Sequence, residues 1–377
     1  MSVIKKIFII LGLIIFIAFV ILISREYLIK KPEKKIPLEE SQTIIKTEDI
    51  IEESQKSTEN LNTTSEESLE DQRKIQEISK KPILLFDFPL LFPTINYPEV
   101  YAYDPQSKTI RSYNIEEKTY QEIYKDENIN YVLFPNNKNI FFIKSKSNFY
   151  LIDVIKDKKY NLPYSTQKVF FNQNIPYILV SGLTTNGYLA EFQEKEKKII
   201  DLYILNPDID FSNYGFLIGE NLKFSFSSPL YLKKTNKDIT SILPTKSYLS
   251  FISNKNDLVF VSYVDNMWKS FLINLKDNSI KKEFNFGTLK EKCSFEKILI
   301  CGVPKNQNYN KLEDWYYLKK SFDDDLIIYD PENDNFQAIK IDGNFDIIQP
   351  QLTPLGIIFF NKNDAKLYLL NKDNFSF

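Results

Sequence analysis

Histidine is absent from the 377 residues of this chain, and glycine and cysteine are scarce, with nine and two copies. Without histidine the chain lacks the side chain that most often acts as a general base near neutral pH and as a transition-metal ligand. The few glycines form no GxGxxG, GxxxxGK or GxSxG pattern, which excludes the glycine-rich phosphate loops and the nucleophile elbow of hydrolases. We therefore expect no catalytic site, no cofactor and no metal centre.

An excess of basic charge is also missing. Lys and Arg number 48 against 50 Asp and Glu, which gives a formal net charge of −2. Because nucleic-acid binding depends on a strongly positive surface, this balance argues against DNA or RNA as a partner. Hydrophobic and aromatic residues are abundant instead, at 43% and 15%. They favour strands and supply enough apolar surface for a large core.

The N-terminus predicts a transmembrane signal anchor. After a short tail (1–6), Ile7 and Ile23 bound an uncharged apolar run of 17 residues, the short end of a membrane-spanning helix. The large residues around position 22 argue against signal-peptide cleavage, which requires small ones. Positive charges lie on both sides of the run, and a literal count favours a cytoplasmic C-terminus. Because long domains cross largely regardless of charge, we expect a single-pass protein of the cytoplasmic membrane with its C-terminal domain outside the cytoplasm.

The next segment, 24–81, is predicted to be a flexible acidic linker. No aromatic residue occurs in 28–85, and 39–71 contain eleven acidic and two basic side chains. Such a composition buries too little apolar surface to offset the entropy lost on ordering. We therefore predict a disordered stalk, followed by a folded domain at 82–377.

The sequence of this domain predicts an all-β fold. Runs of four to seven hydrophobic residues alternate with short turns rich in Asn, Asp, Lys, Pro and Ser, and no helical periodicity of useful length occurs. Segments 139–162, 257–280 and 356–374 share one pattern, which is strand, polar turn, strand, polar turn. The repeating units begin near residues 84, 128, 166, 208, 245, 289 and 344.

Most of these units are about 40 residues long, and four short strands in such a repeat predict a β-propeller. Seven four-stranded blades fit the domain best, six or eight also fit, and an irregular β-sandwich is the alternative. The last unit lacks a strand. We expect residues 82–92 to supply it and so to close the ring without an exposed edge.

The repeats resemble the WD-repeat-like β-propellers of the TolB type. Residues 134–153 (FPNNKNIFFIKSKSNFYLID) keep the outline of such a blade but lack the glycine of its first turn. Residues 293–330 are similar to a blade of membrane-anchored propellers from small-genome bacterial lineages. The matching residues are Cys301, Val303, Pro304, Lys305, Asp314, Trp315, Tyr316, Ser321, Phe322, Asp324 and Leu326. The resemblance covers about residues 84–377; it implies a propeller and a surface location, and no activity.

Both cysteines belong to one predicted hairpin. Cys293 and Cys301 lie symmetrically about a turn at 295–297. Directly opposed strand positions have Cα atoms about 4.5–5.5 Å apart, which is within disulfide reach. Outside the cytoplasm such a pair should oxidise, and two reduced core cysteines are the alternative. A zinc site would need four ligands, and the chain has no further cysteine and no histidine.

An aromatic-rich insertion at 304–320 follows the hairpin. Loops of this kind on a rigid scaffold often bind partners. The candidate ligand-binding residues are Tyr309, Asp314, Trp315, Tyr316 and Tyr317. The alternative is that Trp315 folds back and covers the end of the blade. The three aspartates at 323–325 match no calcium-loop spacing, and we expect them to be solvated at a strand start.

These patterns favour a membrane-tethered propeller that binds a protein, peptide or cell-envelope component and catalyses nothing. The alternative is a propeller enzyme, for example one that cleaves glycans with two carboxylates at the central channel. A purely structural envelope part is a third possibility. Acidic side chains that converge at the channel mouth would favour the enzyme, and an aromatic patch on the top face or the insertion would favour the binder.

The anchor and linker predict where a protease first reaches the chain. Protease added to spheroplasts should remove the C-terminal domain, and the first cuts should fall between residues 30 and 81, because acidic segments of low hydrophobicity are readily cleaved. Immunoblots against the C-terminal domain measure the loss. A domain that stays intact until the spheroplasts are lysed would show that it lies in the cytoplasm.

Overall fold

The computed structural model describes residues 81–135, 138–181, 187–203, 207–220, 230–234, 239–243, 248–265, 267–307, 315 and 321–375. The predicted anchor at 7–23 and residues 24–80 of the predicted linker lie outside these ranges. Among the described residues, none of the helical segments has the length and apolarity that a membrane crossing requires.

The described ranges contain 28 strands, which form seven antiparallel four-stranded sheets. The first strand is β1 (Ile83–Phe86). Blade 1 contains β2 (Leu91–Asn96), β3 (Glu99–Asp104), β4 (Thr109–Asn114) and β5 (Thr119–Lys125). Blade 2 contains β6 (Ile129–Leu133), β7 (Ile140–Ser145), β8 (Asn148–Asp153) and β9 (Lys158–Asn161). Blade 3 contains β10 (Thr166–Asn172), β11 (Ile175–Ser181), β12 (Gly187–Phe192) and β13 (Glu196–Leu202).

The later blades repeat this order. Blade 4 contains β14 (Pro207–Ser212), β15 (Gly215–Glu220), β16 (Leu230–Lys234) and β17 (Ile239–Leu243). Blade 5 contains β18 (Tyr248–Ser253), β19 (Leu258–Asp265), β20 (Met267–Asn274) and β21 (Ile280–Phe284). Blade 6 contains β22 (Cys293–Phe295), β23 (Leu299–Pro304), β24 (Asp324–Asp330) and β25 (Asn335–Ile339). Blade 7 contains β26 (Ile347–Thr353), β27 (Gly356–Asn361) and β28 (Lys366–Asn371), together with β1. Two short 3₁₀ helices occupy Lys290–Lys292 and Lys372–Asn374.

The burial of the strands reflects the stacking of the blades. β23 and β27 are buried at every residue, whereas the outer strands β5 and β13 are mostly exposed. Because each sheet packs between two others, both faces of its inner strands are covered, and the hydrophobic cores lie between blades. In one such core Phe284 of blade 5 meets Tyr329 of blade 6, with ring centroids 5.1 Å apart. The predicted fold of seven four-stranded blades is confirmed.

The ring closes through β1, which pairs with β28 and places Leu84 opposite Tyr368. The expectation that residues 82–92 complete the last blade is therefore confirmed. The first repeating unit does not begin near residue 84, however. It begins at β2, because the segment before Leu91 belongs to blade 7. Phe86 of β1 packs 5.5 Å from Tyr113 of blade 1, so the closing strand also contributes to the core between blades 7 and 1.

The predicted hairpin of the two cysteines corresponds to β22 and β23. Cys293 lies opposite Cys301 in the register, and their Cα atoms are 4.1 Å apart. A disulfide joins the two residues, and both are buried. It therefore fixes the inner strand of blade 6 to the strand that leads into the insertion.

Removal of β1 should open the ring. We expect a chain that starts at residue 82 to fold as a monomer, and a chain that starts at residue 88 to melt at a temperature roughly 10 °C lower. Loss of a buried phenylalanine such as Phe86 alone costs about 3–5 kcal/mol, and the uncovered edge of β28 offers pairing to a second copy. Scanning calorimetry and sedimentation velocity measure both effects. Equal melting temperatures for two monomeric proteins would contradict the closing role of β1.

Removal of the disulfide should lower stability without changing the fold. A closed loop of this length stabilises by about 2.5 kcal/mol, so Cys301→Ser should lower the melting temperature by roughly 5 °C. The wild-type protein in reductant is the matched control and should show a similar decrease. An unchanged melting temperature, together with two thiols that alkylate in non-reduced protein, would be evidence against the bond.

Candidate functional site

The first strands of neighbouring blades lie side by side around the axis of the propeller, and they enclose a cavity of about 560 Å³. The lining comes from β2, β6, β14, β18, β22 and β26, with the hairpin turn after β22. Six of the seven blades therefore contribute to one concave surface. This position, at the central channel, is where propellers bring residues from distant parts of the chain together.

Asp210 of β14 is the most deeply placed carboxylate of this lining. Its Oδ1 accepts a hydrogen bond from the backbone N–H of Phe211 (2.8 Å), and its Oδ2 accepts one from the N–H of Ser253 (2.6 Å). Burial raises the pKa of Asp210 to about 6, although these two hydrogen bonds and the charge of Lys290 act in the opposite direction. The group therefore changes its charge in a mildly acidic range and not near pH 4.

The opposite wall contains an acceptor without a partner. β26 has a bulge between Ile348 and Gln351, and Gln349 within it has a φ of 48°, which is uncommon for a residue other than glycine. The Oε1 atom of Gln351 is buried and accepts no hydrogen bond in the described part of the chain. A buried acceptor in this state costs about 1–3 kcal/mol, which a ligand that donates to it would recover. Bulges are frequent beside binding sites, where they redirect side chains.

Charged side chains surround the opening of the cavity. Glu296 and Lys297 form the turn of the disulfide hairpin, and Lys255 follows β18; all three are exposed. The disulfide itself is close to this rim, since Cys293 is part of the lining. The hairpin therefore presents its charged turn from a covalently fixed base.

An ionic pair lies at the start of β14. The Nζ of Lys290 contacts the carboxylate of Asp208, which is 9% exposed. Burial lowers the pKa of Lys290, but the nearby charges of Asp208 and Glu291 outweigh it and raise the pKa overall. Since Lys290 precedes blade 6 and Asp208 belongs to blade 4, this pair connects two blades that are not neighbours.

Another ionic group, which we call the Lys292 triad, is sealed between blades 6 and 7. It consists of Lys292, Asp324 and Asp346, whose side chains are 0% exposed, and the Nζ of Lys292 contacts both carboxylates. Burial raises the pKa of Asp324 to about 6, the charge of Lys292 opposing it. The expectation that residues 323–325 form a solvated strand start is wrong for Asp324. Strand alternation directs this residue into the interface, while Asp323 stays exposed. Within the described residues no cluster of side chains fits a metal ion.

Of the five candidate ligand-binding residues in the insertion, Trp315 is the one that the structure describes. Its side chain is 4% exposed and stacks on Phe322, and its Nε1–H donates to Asp346 at 2.8 Å. The Nζ of Lys362 lies 3.7 Å from the centre of the indole and donates to the Trp315 carbonyl oxygen. These contacts agree with the alternative in which Trp315 covers the blade. The remaining candidates, Tyr309, Asp314, Tyr316 and Tyr317, lie outside the described residues and stay predictions.

Sequence reasoning missed Asp210, Gln351, the half-buried Lys290 and the buried Lys292. A usable signal was present in PDIDFS (207–212), where Asp208 and Asp210 alternate with apolar residues and so share one face of a strand. Another was KEK (290–292), a charged triplet between two apolar segments. Neither pattern identifies the partner of the charge, because the partners come from other blades.

No protein-family model matches the chain, and no curated protein matches it in sequence. Among solved structures, a chain of the mitotic checkpoint complex is similar, with a TM-score of 0.51 and 8% identity over 80% of this chain and 96% of that one. An oligogalacturonate lyase from Vibrio parahaemolyticus has a TM-score of 0.50 and 9% identity over 80% and 93%. An uncharacterized protein from Listeria monocytogenes has a TM-score of 0.49 and 14% identity over 81% and 100%. At such identities the first two similarities show a shared fold, the β-propeller, and nothing further.

Proposed function

We propose that this chain is a non-catalytic binding module that holds a protein, peptide or cell-envelope ligand at the mouth of the propeller channel. The observation that carries the proposal is the cavity of about 560 Å³, which is lined by Asp210 and by Gln351, whose buried Oε1 has no partner among the described residues. Its size falls within the range of ligand pockets, which combine apolar walls with a few convergent polar groups.

The lining favours a ligand that donates hydrogen bonds. A carboxylate has about four acceptor positions, and the backbone N–H groups of Phe211 and Ser253 fill two of those on Asp210. Ile95, Ile252 and Leu352 supply apolar surface in the same cavity. A lysine or arginine side chain of a peptide meets both demands, because its stem packs on apolar surface while its head donates.

We further propose that the run bounded by Ile7 and Ile23 tethers the propeller to the cytoplasmic membrane, and that the ligand is met outside the cytoplasm. The disulfide between Cys293 and Cys301 supports this location, because such bonds persist in oxidising compartments. The resemblance of residues 293–330 to a blade of membrane-anchored propellers supports it as well.

A glycan-cleaving enzyme is the second candidate, and one observation favours it. The pKa of Asp210 is raised to about 6 by burial, a value that suits a general acid or base near neutral pH. Glu296 at the rim is the other carboxylate of the described lining. The oligogalacturonate lyase has the same fold, but a similarity of that degree transfers no activity to this chain.

Ligand capture should depend on pH through Asp210. Its carboxylate is charged near neutral pH and is protonated as the pH falls through about 6. A hydrogen bond to a charged group contributes about 1.5–3 kcal/mol, and about a tenth of the carboxylates stay ionised one pH unit below the pKa, so capture should fall by up to about tenfold at about pH 5. Capture by the Asp210→Asn variant should be low at both pH values. Photocrosslinking from position 352 in native membranes, with mass spectrometry of the product, measures the yield.

Position 280 is the matched control for the crosslinker, because Ile280 is 55% exposed on the outer strand of blade 5. Crosslinks from this position report background contacts. Equal yields from wild type and Asp210→Asn would overturn the binding role of the cavity. Release of reducing ends from envelope glycans by wild type, and not by Asp210→Asn, would establish the enzyme instead.

A further inference from the structure

The Lys292 triad places an amine and two carboxyl groups together with no exposed side-chain surface. Lys292 Nζ contacts Asp324 Oδ2 and Asp346 Oδ1, and all three side chains are 0% exposed. The ring centres of Trp315 and Phe322 lie 5.4 and 5.1 Å from the same Nζ. Two aromatic rings therefore pack near the nitrogen in addition to the two carboxylates.

The charge state of this enclosure is unfavourable when all three groups are ionised. One ammonium and two carboxylates leave the triad itself with a net negative charge, with Lys362 as a nearby cation, and each buried ion loses several kcal/mol of solvation. A medium of low polarity disfavours the charged form of a buried carboxyl group. The pKa of Asp324, raised to about 6 by burial, is in line with this.

The two carboxyl groups differ in what holds them. The oxygens of Asp346 accept hydrogen bonds from the Trp315 indole and from the backbone N–H of Phe322. Oδ2 of Asp324 accepts from the backbone N–H of Ile347 at 2.7 Å, while its buried Oδ1 accepts none among the described residues. Both oxygens of Asp346 therefore accept hydrogen bonds, whereas Asp324 has one polarised oxygen and one unbound oxygen.

We propose that Lys292 and Asp324 join in an intramolecular isopeptide bond, with Asp346 as the base. Asp346 takes a proton from Lys292, and the free amine attacks Cγ of Asp324. The Ile347 N–H stabilises the negative charge that develops on Oδ2. Oδ1 receives two protons by way of Asp346 and leaves as water. Ammonium and carboxylate thus become an amide and one water, so atoms and charge balance and no oxidant or further reactant is needed.

Enclosure accounts for both the rate and the direction of this condensation. Groups held in contact react as if present at about 10⁵–10⁸ M, and a site closed to bulk solvent disfavours the reverse hydrolysis. The product also satisfies the polar atoms. The amide oxygen retains the Ile347 N–H, the amide N–H lies beside Asp346, and the unpartnered Oδ1 is gone.

The bond would close a covalent loop around the insertion. Lys292 precedes β22 and Asp324 begins β24, with a sequence separation of 32 residues. The loop contains Trp315 and the whole segment 304–320. Lys292 is also adjacent to Cys293, so two covalent links would fix the base of blade 6.

Mass spectrometry of the full-length protein tests the proposal directly. After reduction of the disulfide, the intact chain should be about 18 Da lighter than its sequence, the mass of one water. Trypsin should not cut after Lys292, and the digest should contain peptide 291–297 linked to peptide 321–340. The surface pair Lys305–Asp323, 2.8 Å apart and 32% and 45% exposed, is the internal control and should stay unlinked.

Two variants separate the bond from ordinary packing. Asp324→Ala should restore the unmodified mass of Lys292. Asp346→Asn keeps the size of the side chain but lacks the base, so it should fold and remain unlinked. A wild-type mass equal to that of the sequence, with Lys292 acetylated by acetic anhydride after unfolding, would overturn the proposal. A link to peptide 341–362 would overturn the assignment of Asp324 as the acceptor.

Discussion

The pairing of β1 with β28 is the interaction on which the rest of the structure depends. Each blade buries both faces against its neighbours, so every hydrophobic core is shared by two sheets. In an open ring the first and last blades would each leave one apolar face uncovered. β1 supplies the missing edge of blade 7 and brings Phe86 into the core beside Tyr113. Only a closed ring brings the first strands of six blades around one cavity. The candidate site is therefore a consequence of closure and not of any single blade.

The buried charges differ from the apolar cores in what determines their role. Hydrophobic stacking between blades supplies the stability that allows ions to be buried, and the accessibility of each ion decides what it can do. Asp210 faces a cavity and keeps free acceptor positions, which suits a ligand. The Lys292 triad has no solvent access, so its groups can react only with one another. One fold thus holds a carboxylate that lines a cavity and two carboxylates that are sealed between blades.

The sequence predicted the fold well because a propeller repeats a local pattern. Short apolar runs at a regular spacing were sufficient to predict seven blades. The missing strand in the last unit was sufficient to predict the closing strand. The start of the first unit was misplaced because the same pattern serves Ile83–Phe86 and Leu91–Asn96. The burial of Asp324 was missed for another reason. Alternation shows that neighbouring strand residues face opposite ways, but not which face meets a lysine from a distant turn. The acceptors Asp210 and Gln351 depend likewise on contacts between blades.

Blade 6 shows how covalent chemistry and recognition are connected. Its inner strand β22 has only three residues, Cys293–Phe295, yet this strand and its turn form one wall of the cavity. A strand this short makes few ladder hydrogen bonds, so it would move readily if nothing else held it. The disulfide ties its first residue to β23, and the Lys292 triad holds the residue before it. A wall held at this point needs little further ordering when a ligand arrives, which lowers the entropic cost of binding. The bonds that hold blade 6 together therefore also fix one wall of the cavity to which we assign binding.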